Sequence, residues 1–193
     1  MRIHKVHIIA EGLSEKAYFT ELSKLCRELG IPVLFETYSC GTNTPREVKR
    51  QWSKAQTKRD KKINEEVWAV LDYDCFKRGK PKTASFAFTK GQLYFFIMNF
   101  EDFLVNHLSP TELLNWKNIC IRSNHFSSPM HGDDVVKKIQ AVIPGYSKGN
   151  LPFSIDTDCL NSLNSNKGNF HICPGVSDFI NVYLAFLKQK SII

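Results

Sequence analysis

In the first half of the chain, apolar runs of strand length alternate with longer segments of helical period. Residues 3–10 read as a buried strand. Glu15 to Leu29 places Tyr18, Leu22, Leu25 and Leu29 on one helical stripe, with Ser14 as the expected N-cap. Gly30 ends that helix and Pro32 prevents its continuation. Pro32 to Ser39 predicts a second strand. Thr44 with Pro45 is an N-cap followed by proline at the first helical position, opening a helix to about Lys58. Glu66 to Leu71 predicts a third strand, Gln92 to Met98 a fourth, and Phe100 to Leu108 a short helix after it. This β-α-β-α-β rhythm predicts an α/β fold with a parallel sheet and right-handed crossovers. Further helices are expected near 111–117, 133–142, 156–164 and 176–190. No internal repeat or long linker interrupts the chain, so residues 1–110 read as the core and 111–193 as a helical C-terminal elaboration of the same domain.

Composition narrows the class. A hydrophobic content of 42% over 193 residues supports a buried core and argues against disorder. The net charge of +7 favours an anionic partner, of which nucleic acid is the commonest. The six cysteines contain no C-x-x-C pair, which signals neither a zinc site nor a disulfide framework and suits reduced thiols in the cytoplasm. No apolar stretch approaches the roughly 18 residues that a membrane span needs, and no signal peptide is visible, so no membrane partner is expected.

The strand ends carry the chemistry. Glu11 follows the apolar run ending at Ala10, and Asp72 and Asp74 follow the run ending at Leu71. In α/β folds the carboxyl edge of the sheet is where ligands bind. Asp72 and Asp74, two apart on an extended segment, share a face. Acids gathered in this way repel one another unless a cation lies between them, and a hard divalent cation such as Mg²⁺ takes oxygen ligands of this kind. Glu15 has a blander reading as a first-turn acid that complements the helix dipole.

Glu11-Gly12-Leu13-Ser14-Glu15 after the first strand and Asp72-Tyr73-Asp74 after the third, one βα unit apart, resemble the TOPRIM signature. Asn99 to His107 after the fourth strand is similar to the Asn-Pro-x-Phe-Glu-x-Trp-x-x-x-His segment of the RloB-like family. Phe103 stands in place of its tryptophan, and the proline is missing. Tyr146-Ser147-Lys148 is similar to that family's late Tyr-x-Lys element. The resemblance implies a TOPRIM Rossmann-like parallel sheet of about four strands flanked by helices. It also implies a Mg²⁺-dependent endonuclease, with Mn²⁺ able to substitute, that cleaves DNA or RNA phosphodiesters in a phage-defence or restriction-associated setting beside an ATPase partner. Glu11, Asp72 and Asp74 would hold the catalytic ion, and Glu15 and Glu101 a second, the two about 3.5–4 Å apart. Lys148 would neutralise charge developing on the phosphate. His107 is either a general acid or phosphate contact, or a helix-end histidine satisfied by a carbonyl.

Basic segments fit a polyanion. Lys77, Arg78, Lys80 and Lys82 begin three residues after Asp74 and are the expected nucleic-acid contacts, with Phe76, Phe86 and Phe88 interleaved. Arg46, Lys49, Arg50, Lys54, Lys58, Arg59, Lys61 and Lys62 fit either nucleic acid or a solvated helix face. Asp156 and Asp158 repeat the D-x-D pattern without a preceding strand and read as a helix N-cap region. Asp133-Asp134 reads as another cap, and His125, His131 and His171 as surface or loop residues. The competing function is a non-catalytic nucleic-acid-binding subunit of an ATPase-containing complex. Primase-like nucleotidyl transfer is a third, for which 193 residues leave little room.

Overall fold

In the computed structural model, residues 2–40, 44–63, 65–72, 93–96, 99–125, 130, 132–167 and 174–193 are described. The apolar run at the start forms β1 (His4–Ala10), followed by α1 (Leu13–Glu28), β2 (Val33–Ser39), α2 (Pro45–Lys58) and β3 (Glu66–Asp72). After β4 (Leu93–Phe96) come α3 (Phe100–Val105), α4 (Pro110–Arg122), α5 (Gly132–Ile139), α6 (Thr157–Asn166) and α7 (Pro174–Gln189). β1 pairs in parallel with β2 and with β3, and β4 pairs in parallel with β3, giving the order β2-β1-β3-β4. The architecture is α/β, with helices on both faces of a parallel sheet.

The period-two pattern of β1 divides the core. Val6, Ile8 and Ala10 face one side, where they join Tyr18, Phe19 and Leu22 of α1, Trp68 of β3, and buried residues of α3, α4, α6 and α7. Ile9 faces the other side, with Val48, Trp52 and Ala55 of α2 and with Val67, Ala69 and Leu71 of β3. The helices after residue 110 thus share one apolar cluster with the sheet. Burial of each large side chain contributes about 1.5–3 kcal/mol, and these residues supply most of the driving force.

Local signals were mostly honoured, with informative exceptions. α1 ends in a Schellman turn: Gly30 has φ of 70°, its N–H reaches Arg27 O at 3.1 Å, and Ile31 N–H reaches Cys26 O at 2.8 Å. α2 has Thr44 as its N-cap, accepting from Glu47 N–H at 3.3 Å, with Pro45 behind it. The N-cap of α1, in contrast, is Gly12 rather than Ser14, which lies inside the helix. Leu29 is 46% exposed and leaves the expected stripe, its place taken by Phe19 and Cys26. Asp156 caps α6 by accepting from Cys159 N–H at 2.8 Å. Asp133 and Asp134 are first-turn acids of α5 instead of caps, because Gly132 already begins the helix. The hydroxyl of Ser23 in α1 accepts from the N–H of Phe35 in β2 at 3.0 Å and donates to the carbonyl of Phe19 one turn back at 2.9 Å. Among the described residues no helix is long and apolar enough to cross a membrane.

Candidate functional site

Because the strands are parallel, their carboxyl ends share one edge. Glu11 leaves β1 there, directly after Ala10, whose carbonyl accepts from the N–H of Cys40 beyond β2 at 2.9 Å. β3 pairs Val70 with Ala10 and continues to Asp72, which brings the Asp72 backbone beside the turn that carries Glu11 and Gly12. α3 begins past β4 and carries Glu101 in its first turn. Glu15 sits in the first turn of α1.

Three of these acids lie close enough to act on one another. Glu15 is 3% exposed and Glu101 4%, while Glu11 is partly exposed. Burial pushes the Glu15 carboxyl up to about 8; backbone N–H groups of Glu15 and Gly12 pull it down, and the charges of Glu101 and Glu11 push it further up. A Cβ on Gly12 would stand 3.1 Å from Glu15 Oε2, so glycine lets the carboxylate fold back across the turn. The Cys40 thiol, raised to about 12 mainly by its burial, also feels Glu47, Glu11 and Glu15.

A directional hydrogen-bond relay holds Glu101. Tyr146 is fully buried, and its hydroxyl donates to Glu101 Oε1 at 2.6 Å. A phenol has one proton to give, so the 2.9 Å bond between Ser14 Oγ and the Tyr146 hydroxyl runs from serine to tyrosine. Burial and the neighbouring Glu101 keep the Tyr146 proton in place by raising its pKa. Gln140 Nε2 anchors the Tyr146 carbonyl at 2.8 Å. This relay is what Ser14 does instead of capping, and it ties α1, α3 and the segment after α5 at one point.

Lys148 is exposed on the turn between Ser147 and Asn150, which pair across it. Gly149 there has φ of 84°, and a Cβ on it would approach Leu13 Cβ to 3.0 Å. The turn therefore rests against the first residue of α1, on the side of the acids. His107 is buried, with Nδ1 at 3.1 and 3.2 Å from the carbonyls of Phe103 and Leu104 and Nε2 at 2.8 Å from the Tyr18 hydroxyl. A carbonyl only accepts, so Nδ1 carries the proton, and Tyr18 donates to Nε2. Desolvation lowers the His107 pKa to about 4, and the ring is neutral at pH 7. Of its two readings, this is the carbonyl-satisfied one. Asp74, Lys77, Arg78, Lys80 and Lys82 lie outside the described residues, as do Phe76, Phe86, Phe88, His131 and His171; of Asp72, the backbone is described.

No protein-family model, curated protein or solved structure matches the chain. The chemistry of this edge is therefore read from its own side chains. They offer hard oxygen donors, two of them buried, with an oriented carboxylate.

A second polar group, unforeseen from the sequence, lies between α3 and α4. Asp102 Oδ1 accepts from Trp116 Nε1 at 2.9 Å, and Oδ2 lies 2.8 Å from His125 Nε2 and accepts from Asn99 N–H at 3.1 Å. His125 is fully buried here, not a surface residue. Cys120 completes a set whose ligand atoms fall within 4.8 Å of one another. A borderline-soft cation such as Zn²⁺ uses such donors; here both carboxylate oxygens are engaged by N–H groups of the α3 start, α4 and His125, which join these elements. The detectable signal was the Asn99-x-x-Asp102 capping box. A buried tryptophan N–H that needs an acceptor was the other.

Proposed function

We propose that the chain is a divalent-cation-dependent nuclease of TOPRIM, RloB-like type that hydrolyses nucleic-acid phosphodiesters at the carboxyl edge of its sheet. The observation that carries this reading is Glu15, buried beside Glu11 and Glu101 with its pKa pushed up to about 8. Acids gathered in a desolvated place repel one another unless one keeps its proton or a cation joins them, and a cation-binding site is one use of such a cluster. The donor set fits Mg²⁺ or Mn²⁺ and is poorly suited to soft metals. Glu11, Glu15 and Glu101 would hold the ion, joined by Asp72 and Asp74 from the strand-end pattern. Once bound, it would supply charge neutralisation at the phosphate and an activated water.

The chain's own groups have separable tasks. Ser14 and Tyr146 fix one oxygen of Glu101 and leave the other for the site. Lys148, exposed on the turn beside α1, would meet a phosphate oxygen. His107 keeps both ring nitrogens engaged and supports α3 from behind. A cytoplasmic phage-defence role beside an ATPase follows from the sequence resemblance alone.

The test incubates purified protein with plasmid, single-stranded DNA and total RNA, in Mg²⁺ or EDTA, beside Asp72→Ala and Glu15→Gln. Cleavage in Mg²⁺ that both substitutions abolish is expected. Cleavage retained by both variants would place the catalyst elsewhere. Nucleic-acid binding without any cleavage would leave the binding-subunit reading in its place.

A further inference from the structure

We infer that the exposed face of α2 is a docking surface for the phosphate backbone of nucleic acid. The helix is sharply two-sided. Val48, Gln51, Trp52 and Ala55 face the sheet, and Arg46, Lys49, Arg50, Ser53, Lys54, Thr57 and Lys58 face solvent. The outer face thus carries five cations and two hydroxyls, and Glu47, half-buried at its margin, is the one acid in the helix.

Glu47 is engaged by Arg50, with contacts of 2.6 and 2.8 Å. Lys58 reaches Glu36 at 3.6 Å. Arg46 and Lys49 have no acidic partner among the described residues, and Lys54 leans over the Tyr38 ring at 5.9 Å. The helices α1 and α5 mix their signs. α1 exposes Lys16, Lys24, Arg27 and Glu28, with Lys24 paired to Glu21, and α5 sets Asp133 and Asp134 against Lys137 and Lys138. Five cations on the outer face of α2, against two on α4, are therefore a local concentration beyond the chain's general basicity.

Geometry and chemistry select the partner. From Arg46 to Lys58 the helix runs about 18 Å, on the order of five base-pair rises. The face offers point charges and hydroxyls, the groups that contact phosphate oxygens. None of the large exposed apolar residues belongs to α2, so it lacks the greasy side that a membrane-surface helix inserts. Its first turn begins just past the carboxyl edge, where the Cys40 N–H bonds the carbonyl of Ala10, the residue before Glu11, at 2.9 Å. A strand lying along α2 would therefore arrive at the acids. Only that direction of travel rests on the proposed nuclease reading; the docking surface stands without it.

Binding of short duplex DNA, short duplex RNA and anionic vesicles to the full chain in EDTA tests this. The triple variant Arg46→Gln, Lys49→Gln, Lys54→Gln is compared with Lys117→Gln, Arg122→Gln, Lys188→Gln, which removes equal charge elsewhere; melting curves confirm that both are folded. The α2 variant is expected to lose about ten-fold or more in nucleic-acid affinity at physiological salt, with a salt slope smaller by about three. The DNA and RNA arms show which backbone is taken. Equal losses in both variants would reduce the effect to net charge and overturn the inference, as would unchanged binding by the α2 variant. Vesicle binding that α2 substitution abolishes, with nucleic acid unaffected, would replace the partner by a membrane. Wild-type binding without Mg²⁺-dependent cleavage would sink the nuclease reading and leave this surface intact.

Discussion

Glu15 and Asp102 are both withdrawn from solvent, at 3% and 1% exposure. Asp102 meets an indole N–H, an imidazole nitrogen and a backbone N–H. Glu15 meets its own backbone N–H, that of Gly12, and two further acids. The first carboxylate is surrounded by donors and serves as a joint between α3 and α4. The second is short of positive charge, so the fold favours its protonated form. Burial alone does not set the state of a buried carboxyl; the sign of what surrounds it does.

The largest expected effect comes from breaking the satisfied side. Asp102→Ala would strand Trp116 Nε1 and His125 in the core, at a cost of about 3–5 kcal/mol. With about 2–4 °C per kcal/mol in a chain of this size, thermal melting should fall by about 10 °C. A loss under a couple of degrees would show that the joint is dispensable.

Next comes Glu15→Gln, which should act in the opposite direction. The Glu15 pKa is raised in the fold, so its contribution is fully present below the ordinary value of 4.5 and is lost as pH rises through about 8. In EDTA, the wild-type protein should therefore weaken between pH 5 and pH 8. Glutamine mimics the neutral acid and should flatten that slope, gaining on the order of a few kcal/mol at pH 8 and little at pH 5. Urea titrations at the two pH values check this, and a persistent wild-type slope would remove Glu15 as its source.

The smallest effect should come from Tyr146→Phe, which deletes the donor to Glu101 and keeps the ring. A stability change of about 1 kcal/mol is expected, together with a several-fold weaker response of melting temperature to added Mg²⁺. A variant with unaltered Mg²⁺ response would separate the relay from the acids.

Much of the scaffold was legible because its signals are local. Thr44-Pro45, Gly30 and the alternation in β1 each act within a few residues, and each did what its chemistry dictates. The strand-end acids were legible for the same reason, since a parallel sheet must bring Glu11 and Asp72 to one edge. What escaped was tertiary. Ser14 has the chemistry of a cap, and nothing near it in the chain reveals that Tyr146, 132 residues on, will claim its hydroxyl. His125 sits in polar surroundings in the sequence, yet Asp102, 23 residues earlier, draws it into the core. Leu29 matched the helical period but falls at the C-cap, where the chain turns away from the core.

The serine of α1 that accepts from the Phe35 N–H has a consequence beyond joining a helix to a strand. β2 is the outermost described strand on its side of the sheet, and an outermost strand is a template on which a foreign strand can grow. Ser23 already occupies the Phe35 N–H in the middle of β2, so an incoming strand would have to displace that hydroxyl before pairing there.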